Sequence, residues 1–421
     1  MKRLAALRAY RRLWLPGIPL LLALVAIAWY AATSPRRAEQ ALQQASFLEL
    51  QYEAQRNPDN PRIFHYLGLT AQRAGQKQLA LDSFGQAATM APHDEAAWIT
   101  WARAAAAIQG SQAAINILNT YLQVHPRSAE SHLMLAQICA ELADHPRAYA
   151  EAKIATEQNP RSDRAWRLAG KEALKKYDAS AAEEAFRRAI TLAPADWENQ
   201  QGLGDALFAS SRFPEAVKFY REAVRLAPNV GVTHLKLGEA LLRTAGSAKE
   251  IEAARESLRR ALAHQDTLTS DGLFFTYLAL GQSYTAEERW QEALPWLKQA
   301  VPYEPTDATI SGEVHFELAR AYRGLRDPAN AQREMRLHEQ RKLYNVQLKQ
   351  LSNRIRTNRD DVQAYLSLAR LYVAHGNDTD AAYLYRQALL RAPDLKGARQ
   401  EYAALLRRHT PSGKQEREPS R

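Results

Sequence analysis

The chain has 421 residues, of which 46% are hydrophobic, 24% are charged and one is a cysteine. This composition is that of a folded globular protein and excludes a disordered or collagen-like chain. Because Cys139 is the single cysteine, an intrachain disulfide and a cysteine-rich metal site are also excluded.

The formal net charge of +10 is concentrated at the two ends of the sequence. Residues 1–40 contain seven Lys or Arg and one acid, and residues 394–421 contain seven against four. Residues 41–393 contain 42 bases and 41 acids. A nearly neutral body has no basic surface large enough to neutralise phosphates, so we expect no nucleic-acid partner.

An uncharged run, 13–32, follows a short basic segment, 1–12. As a helix this run would span about 30 Å, the thickness of the bilayer hydrocarbon. It carries Trp14, Trp29 and Tyr30 near its ends, as transmembrane helices carry interfacial aromatic residues. The run therefore predicts a single transmembrane anchor.

The charges beside the run predict its orientation. Five bases precede it, and only Arg36 and Arg37 follow within about 20 residues, which favours a cytoplasmic N-terminus. A cleaved signal peptide is the alternative, since Ala26 and Ala28 form an A-x-A pattern. Both interpretations place the body of the chain across the membrane from the cytoplasm.

The body has an internal repeat with a period of about 34 residues. Five prolines recur at one constant interval, each ahead of a new helical pattern: Pro92, Pro126, Pro160, Pro194 and Pro228. Within each unit a large residue precedes a small one, as in Leu67 with Gly68, and an aromatic residue precedes an alanine, as in Phe84 with Ala87. Each unit is predicted to be two antiparallel helices, with the proline ending the second helix.

This pattern resembles the tetratricopeptide repeat. The resemblance implies an all-α, right-handed superhelix (an α-solenoid) of about nine repeats, with the transmembrane helix in front. Units begin near Pro61, Glu95, Ala129, Asp163, Trp197, Gly231, Phe274, Gly312 and Val362.

Breaks in the phase of the repeat, and segments that do not follow its pattern, set the remaining boundaries between predicted segments. The predicted segments are 33–60, a linker with a capping helix over 39–55; 61–265, repeats 1 to 6; 266–342, repeats 7 and 8; 343–361, part of a long helix (329–356) or a degenerate repeat; 362–394, repeat 9; 395–408, a C-terminal capping helix; and 409–421, a disordered tail. We expect a local bend near residues 265–273, where the phase of the repeat is interrupted.

No catalytic, metal or cofactor motif is present in the sequence. His132, His234 and His315 occupy the helix-packing position that Trp98 and Trp166 occupy in other repeats, so a structural role is favoured over a ligand role. Cys139 falls at a core position. We therefore expect no enzyme activity, no cofactor and no small-molecule substrate.

The resemblance implies that the second, fifth, ninth and twelfth positions of each first helix line an inner groove that binds protein or peptide partners. In the fourth and fifth repeats these positions include a basic strip, Arg164, Arg167 and Lys171, and then Phe208. In the sixth and seventh repeats they form an apolar patch: Val232, Leu235, Leu242, Phe275 and Leu278. The strip either receives an acidic segment or pairs with neighbouring acids, and the patch either docks a partner or is buried internally.

One subclass of the family clamps the carboxylate tail of chaperones with Lys and Asn at set positions. Here those positions hold His65 and Leu69 in the first repeat and Ile99 and Arg103 in the second, which disfavours a cochaperone of that kind. The sequence leads instead to a membrane-anchored scaffold that assembles proteins of an extracytoplasmic envelope complex, with the body in a bacterial periplasm. The alternative is a cytoplasm-facing receptor or regulatory adaptor.

Overall fold

The computed structural model describes residues 35–305 and 312–409. These residues form twenty-one α-helices, two short 3-10 turns and no strand. The predicted anchor, 13–32, and all but the first residue of the predicted tail, 409–421, lie outside them. Among the described residues, no helix combines the length and the apolar character needed to cross a bilayer.

Two compact units make up the chain, residues 1–219 and 220–421. In the first unit the described helices are α1 (Pro35–Gln44), α2 (Phe47–Arg56), α3 (Pro61–Arg73), α4 (Lys77–Met90), α5 (Glu95–Gln109), α6 (Ser111–Val124), α7 (Ala129–Glu141), α8 (His145–Gln158), α9 (Asp163–Lys175), α10 (Ala179–Leu192) and α11 (Trp197–Ala209). Helix α12 (Phe213–Leu226) contains the division between the units.

In the second unit the helices are α13 (Gly231–Thr244), α14 (Ala248–Ala263), α15 (Ser270–Thr285), α16 (Trp290–Ala300), α17 (Glu313–Gly324), α18 (Pro328–Thr357), α19 (Val362–Ala374), α20 (Asp378–Arg391) and α21 (Lys396–His409). Along the chain, α3 to α20 follow one another as nine consecutive pairs. The prediction of two helices in each repeat is therefore confirmed.

The turns inside the third, fourth and fifth pairs use the same backbone geometry. Ala143, Tyr177 and Ser211 lie at equivalent positions of successive repeats and all have a positive φ of 57–60°. The following amide closes the helix end, as the amide of Asp178 does by donating to the carbonyl of Ala173 at 2.9 Å. This is a Schellman motif, which satisfies helix carbonyls that would otherwise lack a donor.

Small residues allow the paired helices to approach. A methyl group at Gly68 would lie 2.6 Å from the ring of Phe84, and one at Gly170 would lie 2.8 Å from the ring of Phe186. Both rings are fully buried. The large and small positions read from the repeat are therefore the helix-crossing positions, and their packing holds each pair together.

Two predicted elements differ in the structure. The single helix expected over 39–55 is two helices, α1 and α2, because α1 ends at Gln44 and Ser46 caps the start of a new helix. Its hydroxyl accepts from the amide of Glu49 at 3.3 Å, and the Glu49 carboxylate accepts from the amide of Ser46 at 2.7 Å, which is a capping box. Helix α15 begins at Ser270, four residues before the predicted unit start, because the Thr269 hydroxyl caps it.

Two helices near the C-terminus correspond to segments named in the sequence analysis. The long charged helix expected over 329–356 is α18, one continuous helix of 30 residues. The expected C-terminal capping helix is α21, and its Ala398 and Leu405 join the core of the last repeat.

Candidate partner-binding surfaces

The basic strip predicted in the fourth repeat is internally paired. Arg167 forms ion pairs with Asp196 and, at 3.7 Å, with Glu198. Lys171 pairs with the same Glu198 at 2.7 Å, and Arg164 lies 3.9 Å from Glu130. Of the two interpretations of the strip, the structure therefore favours pairing with neighbouring acids. Because these pairs are only partly buried, each contributes little stability, about 0–1 kcal/mol.

The apolar patch predicted in the sixth and seventh repeats is partly core. Leu235 and Leu278 are 2% and 3% exposed, so the expectation that they face an open groove is wrong. Leu235 packs with Leu258 of α14, and Leu278 belongs to the cluster around Leu297 of α16. At both positions a neighbouring helix covers the side chain.

The remaining apolar positions are half-buried. Val232, Leu242 and Phe275 are neither core nor fully exposed, and Leu242 and Phe275 pack against the cluster that contains Leu235. Phe208 of the fifth repeat is also half-buried and makes an edge-to-face contact with Phe213, with ring centroids 5.0 Å apart. These side chains present only part of their surface to a partner.

The shared helix-packing position of the repeats has a common structural role. Its side chain lies against the carbonyl of the proline six residues earlier, whatever the residue type. The bonds join His132 to Pro126 (3.1 Å), Trp166 to Pro160 (3.0 Å), Gln200 to Pro194 (3.1 Å) and His234 to Pro228 (2.8 Å). A ring or amide N–H that donates here satisfies a carbonyl at the end of the preceding repeat. The structural role predicted for His132 and His234 is confirmed.

Trp98 departs from this pattern. His125, rather than Trp98, contacts the carbonyl of Pro92, at 3.1 Å, and the indole nitrogen of Trp98 is buried without a hydrogen-bond partner among the described residues. His315 departs in another way, because its ring contacts the carboxylates of Glu334, at 2.7 Å, and Glu304, at 3.6 Å.

Cys139 is buried at 1% exposure, and burial raises the pKa of its thiol. A buried thiol of raised pKa is a poor nucleophile, so the core role predicted for Cys139 is confirmed. Within the described residues, no group of three or more His, Cys, Asp or Glu side chains has the geometry to hold a metal ion.

A cavity of about 320 Å³ lies at the first and second repeats, among α1, α3, α4 and α5. Small side chains line part of it, and polar side chains line the rest. The alanines are Ala87, Ala91, Ala96 and Ala97; the polar residues are Glu39, Arg62, His65, Tyr66 and Asp94. Arg62, His65 and Ala96 occupy groove positions of their helices.

His65 contributes a neutral, available ring to this cavity. Burial lowers its pKa, although Asp94 and Glu39 act in the opposite direction. Among the described residues, none makes a hydrogen bond to either of its ring nitrogens. At neutral pH the ring therefore offers one donor and one acceptor to a polar group that enters the cavity.

Tyr66 and Glu39 form the part of the polar lining next to His65, since the His65 and Tyr66 rings are in edge-to-face contact with centroids 5.4 Å apart. The Tyr66 hydroxyl donates to the Glu39 carboxylate at 3.3 Å. Burial and the neighbouring carboxylate together raise the pKa of Tyr66. Sequence reasoning considered His65 only as evidence against a chaperone-tail clamp and missed Glu39 and Tyr66. Glu39 lies in α1, before the first repeat, where the repeat pattern gives no signal.

Comparison with known families agrees with the helix pairs. Two family models described as tetratricopeptide repeat match the sequence, one at residues 99–163 and 167–230 and the other at residues 276–309. These segments of the chain are tetratricopeptide repeats. No curated protein matches the sequence significantly.

Several solved structures are similar to this chain at low sequence identity. A tetratricopeptide repeat protein from Parabacteroides merdae is 12% identical, with a TM-score of 0.46 over 62% of this chain and 98% of its own. MamA from Desulfovibrio magneticus RS-1 is 18% identical, with a TM-score of 0.37 over 40% of this chain and 94% of its own. The APC/C hetero-tetramer Cut9–Hcn1 is 13% identical, with a TM-score of 0.41 over 88% of this chain and 82% of its own. Similarity at this level carries no inference about partners.

Proposed function

We propose that this protein is a non-enzymatic scaffold whose tetratricopeptide repeats bind segments of partner proteins. The observation that carries the proposal is the cavity at the first two repeats. Its polar lining includes the ring of His65, which has no hydrogen-bond partner among the described residues. The basic strip of the fourth repeat is already paired and offers less to a partner.

The cavity suits a short extended segment of a partner chain. The alanines leave room for a backbone or a small side chain to lie close to α4 and α5, while His65 and Tyr66 can bond to peptide groups. Arg62 and Glu39 at the rim bring opposite charges, so that a segment with both signs of charge could be oriented.

We further propose that residues 13–32 anchor the scaffold in a membrane with the repeats outside the cytoplasm, where they assemble an envelope complex. The support is the length of the apolar run and the excess of bases before it. Protease treatment of intact native cells, opened cells and membranes tests the topology. Repeats cut only after the outer barrier is opened would support this orientation, and repeats cut from the cytoplasmic side would support the adaptor alternative.

Site-specific photocrosslinking tests the binding site. A photoreactive residue replaces Arg62 at the cavity rim, and a matched one replaces Lys77, which is exposed at the start of α4. We expect partner adducts from position 62 and few from position 77.

A second comparison removes the space in the cavity. Ala96→Trp fills it, whereas Ala248→Trp changes an exposed alanine at the start of α14. Ala96→Trp should abolish the adducts from position 62 and Ala248→Trp should leave them. Equal adducts in the Ala96→Trp variant would contradict binding in the cavity.

A further inference from the structure

Helix α18 is about twice as long as the other second helices of the repeats. It has 30 residues, and α4, α6, α8 and α10 have 14 each. Its additional turns pack only on one side. Tyr344 is buried at 5% exposure, and Leu348, Leu351 and Ile355 pack against the core of the last repeat. The opposite face of the helix therefore lies in solvent.

The solvent face carries two exposed apolar side chains. Leu343 is 59% exposed and Val346 is 47% exposed. They lie on a line of five exposed residues spaced alternately four and three apart, whose other members are the polar Glu339, Gln350 and Asn353. This alternation is the a and d spacing along which one α-helix packs against another.

A row of cations borders this line. Lys342, Lys349 and Arg356 are seven residues apart and exposed, so they lie along one edge of the face. Among the described residues, none of the three forms an ion pair with an acid. By contrast, Arg341 and Arg354 of the same helix pair with Glu304, at 3.4 Å, and Asp361, at 2.9 Å.

The whole of α18 is basic. It contains seven Lys or Arg and two acids, and one of those acids, Glu334, is bonded to His315. Cations beside the a and d line occupy the positions at which paired helices exchange charges with each other. A helix that packs here and carries acids along its own edges would match both features.

We propose that this face of α18 binds an acidic amphipathic helix of another protein. Leu343 and Val346 pack against its apolar stripe, and Lys342, Lys349 and Arg356 face its carboxylates. A second copy of α18 would bring like charges together. The chain's own ends do not fit, since residues 1–40 have seven bases to one acid and residues 410–421 have three to two.

This surface and the cavity have no residue in common, so either proposal can fail without the other. The test uses the full-length protein in detergent and a labelled synthetic peptide of four heptads, with Leu at a and d and Glu at e and g. A scrambled peptide of the same composition, which cannot form one apolar face, is the control. We expect saturable binding of the first peptide that weakens as salt increases, and no binding of the second.

Two triple variants that change the net charge equally distinguish binding by this row of cations from non-specific electrostatic attraction. The first variant combines Lys342→Glu, Lys349→Glu and Arg356→Glu. The other variant combines Arg323→Glu, Lys396→Glu and Arg399→Glu, which replace exposed cations elsewhere in the same unit. We expect the first to weaken binding by about tenfold or more and the second by less than about twofold. Equal losses would overturn the proposal, as would failure of the unaltered protein to bind.

The apolar part of the face is tested at constant charge. Leu343→Gln with Val346→Gln should weaken binding by about tenfold, with helicity and melting temperature unchanged because both side chains are exposed. An anionic membrane is the competing occupant. If vesicles of phosphatidylglycerol and phosphatidylcholine bind through Lys342, Lys349 and Arg356 while the peptide does not bind, the surface is a lipid surface and the proposal is wrong.

Discussion

Arg255 donates two hydrogen bonds to Ser283, one from Nη2 to the carbonyl at 2.7 Å and one from Nε to the hydroxyl at 2.9 Å. The guanidinium is 1% exposed, pairs with Glu287, and lies 3.9 Å from the centre of the Tyr284 ring. The planar group thus joins α14 to α15 across the point where the phase of the repeat is interrupted. An ammonium group could not reproduce the fork of two bonds and the stacking.

Arg255→Lys should destabilise the protein almost as much as Arg255→Ala. Arg255→Ala leaves Glu287 without its buried partner. Arg255→Lys keeps the positive charge but loses the two-bond fork to Ser283 and the stacking on the ring of Tyr284. We expect losses of about 3 kcal/mol in the free energy of unfolding from either change. Denaturant titration followed by circular dichroism measures this. Arg260→Ala is the control, because Arg260 is 62% exposed and its ion pair is with the exposed Glu256, so its loss should be below about 1 kcal/mol. Full stability of Arg255→Lys would show that the fork geometry is unimportant.

Trp166→Phe and Trp98→Phe should differ although the two tryptophans share a repeat position. Trp166→Phe removes the hydrogen bond to the Pro160 carbonyl, which costs about 1 kcal/mol in addition to the cost of the smaller ring. Trp98 loses a buried N–H that has no partner among the described residues, so its replacement removes a desolvation cost. Thermal unfolding should show the lower melting temperature for Trp166→Phe. Equal melting temperatures would mean that the proline carbonyl bond contributes no stability.

Leu235→Ala should be far more destabilising than Val232→Ala. Leu235 is buried against α14, and truncating such a leucine costs about 2–5 kcal/mol because a cavity remains. Val232 is half-buried on the same helix, so its truncation should cost less than about half as much. If Leu235→Asp with Phe275→Asp retained full helicity and melting temperature, our assignment of Leu235 to the core would be wrong.

The stabilising effect of His315 should decrease as pH rises. Burial disfavours the charged ring, but the hydrogen bond to Glu334 and the negative charges of Glu304 and Glu334 outweigh it and raise the pKa of His315 above the ordinary 6.5. The charged ring therefore stabilises the fold fully below pH 6.5, and this contribution is lost as pH rises through the raised pKa. Besides the two carboxylates, Arg341 lies within 3.4 Å of Glu304, and the ring of His338 bonds to the Gly312 carbonyl at 2.8 Å.

The stabilising effect of Glu304 has the opposite dependence on pH. Burial opposes its ionisation, but the nearby His315 and the bond from the Gly312 amide lower the pKa of Glu304 below the ordinary 4.5, so its contribution is lost only in acid. Between the pKa of Glu304 and the pKa of His315, both side chains are charged. The test compares the free energy of unfolding of the unaltered protein with that of His315→Gln at about pH 6 and about pH 9. We expect the two free energies to differ by at least about 1 kcal/mol at the lower pH and by less at the higher pH. A difference independent of pH would contradict a charged His315.

The repeat architecture could be read from the sequence because its signals are local. Helices begin at Pro61, Glu95, Ala129, Asp163 and Trp197, as the period of the repeat predicts. Helix propensity, proline and the spacing of large and small residues act within one unit, so each repeat specifies its own helix pair. The period gives no information before the first repeat, and there the break at Ser46 was missed.

The state of the candidate binding residues depends on partners that are distant in the sequence. Leu235 and Val232 lie three residues apart on one helix, yet only Leu235 is covered, because α14 packs on that side. Arg167 is held by Asp196 of the next repeat, and His65 shares its cavity with Glu39 from α1. A position in the repeat indicates which way a side chain points, and the neighbouring helices, through their side chains and charges, set how much of it remains open to a partner.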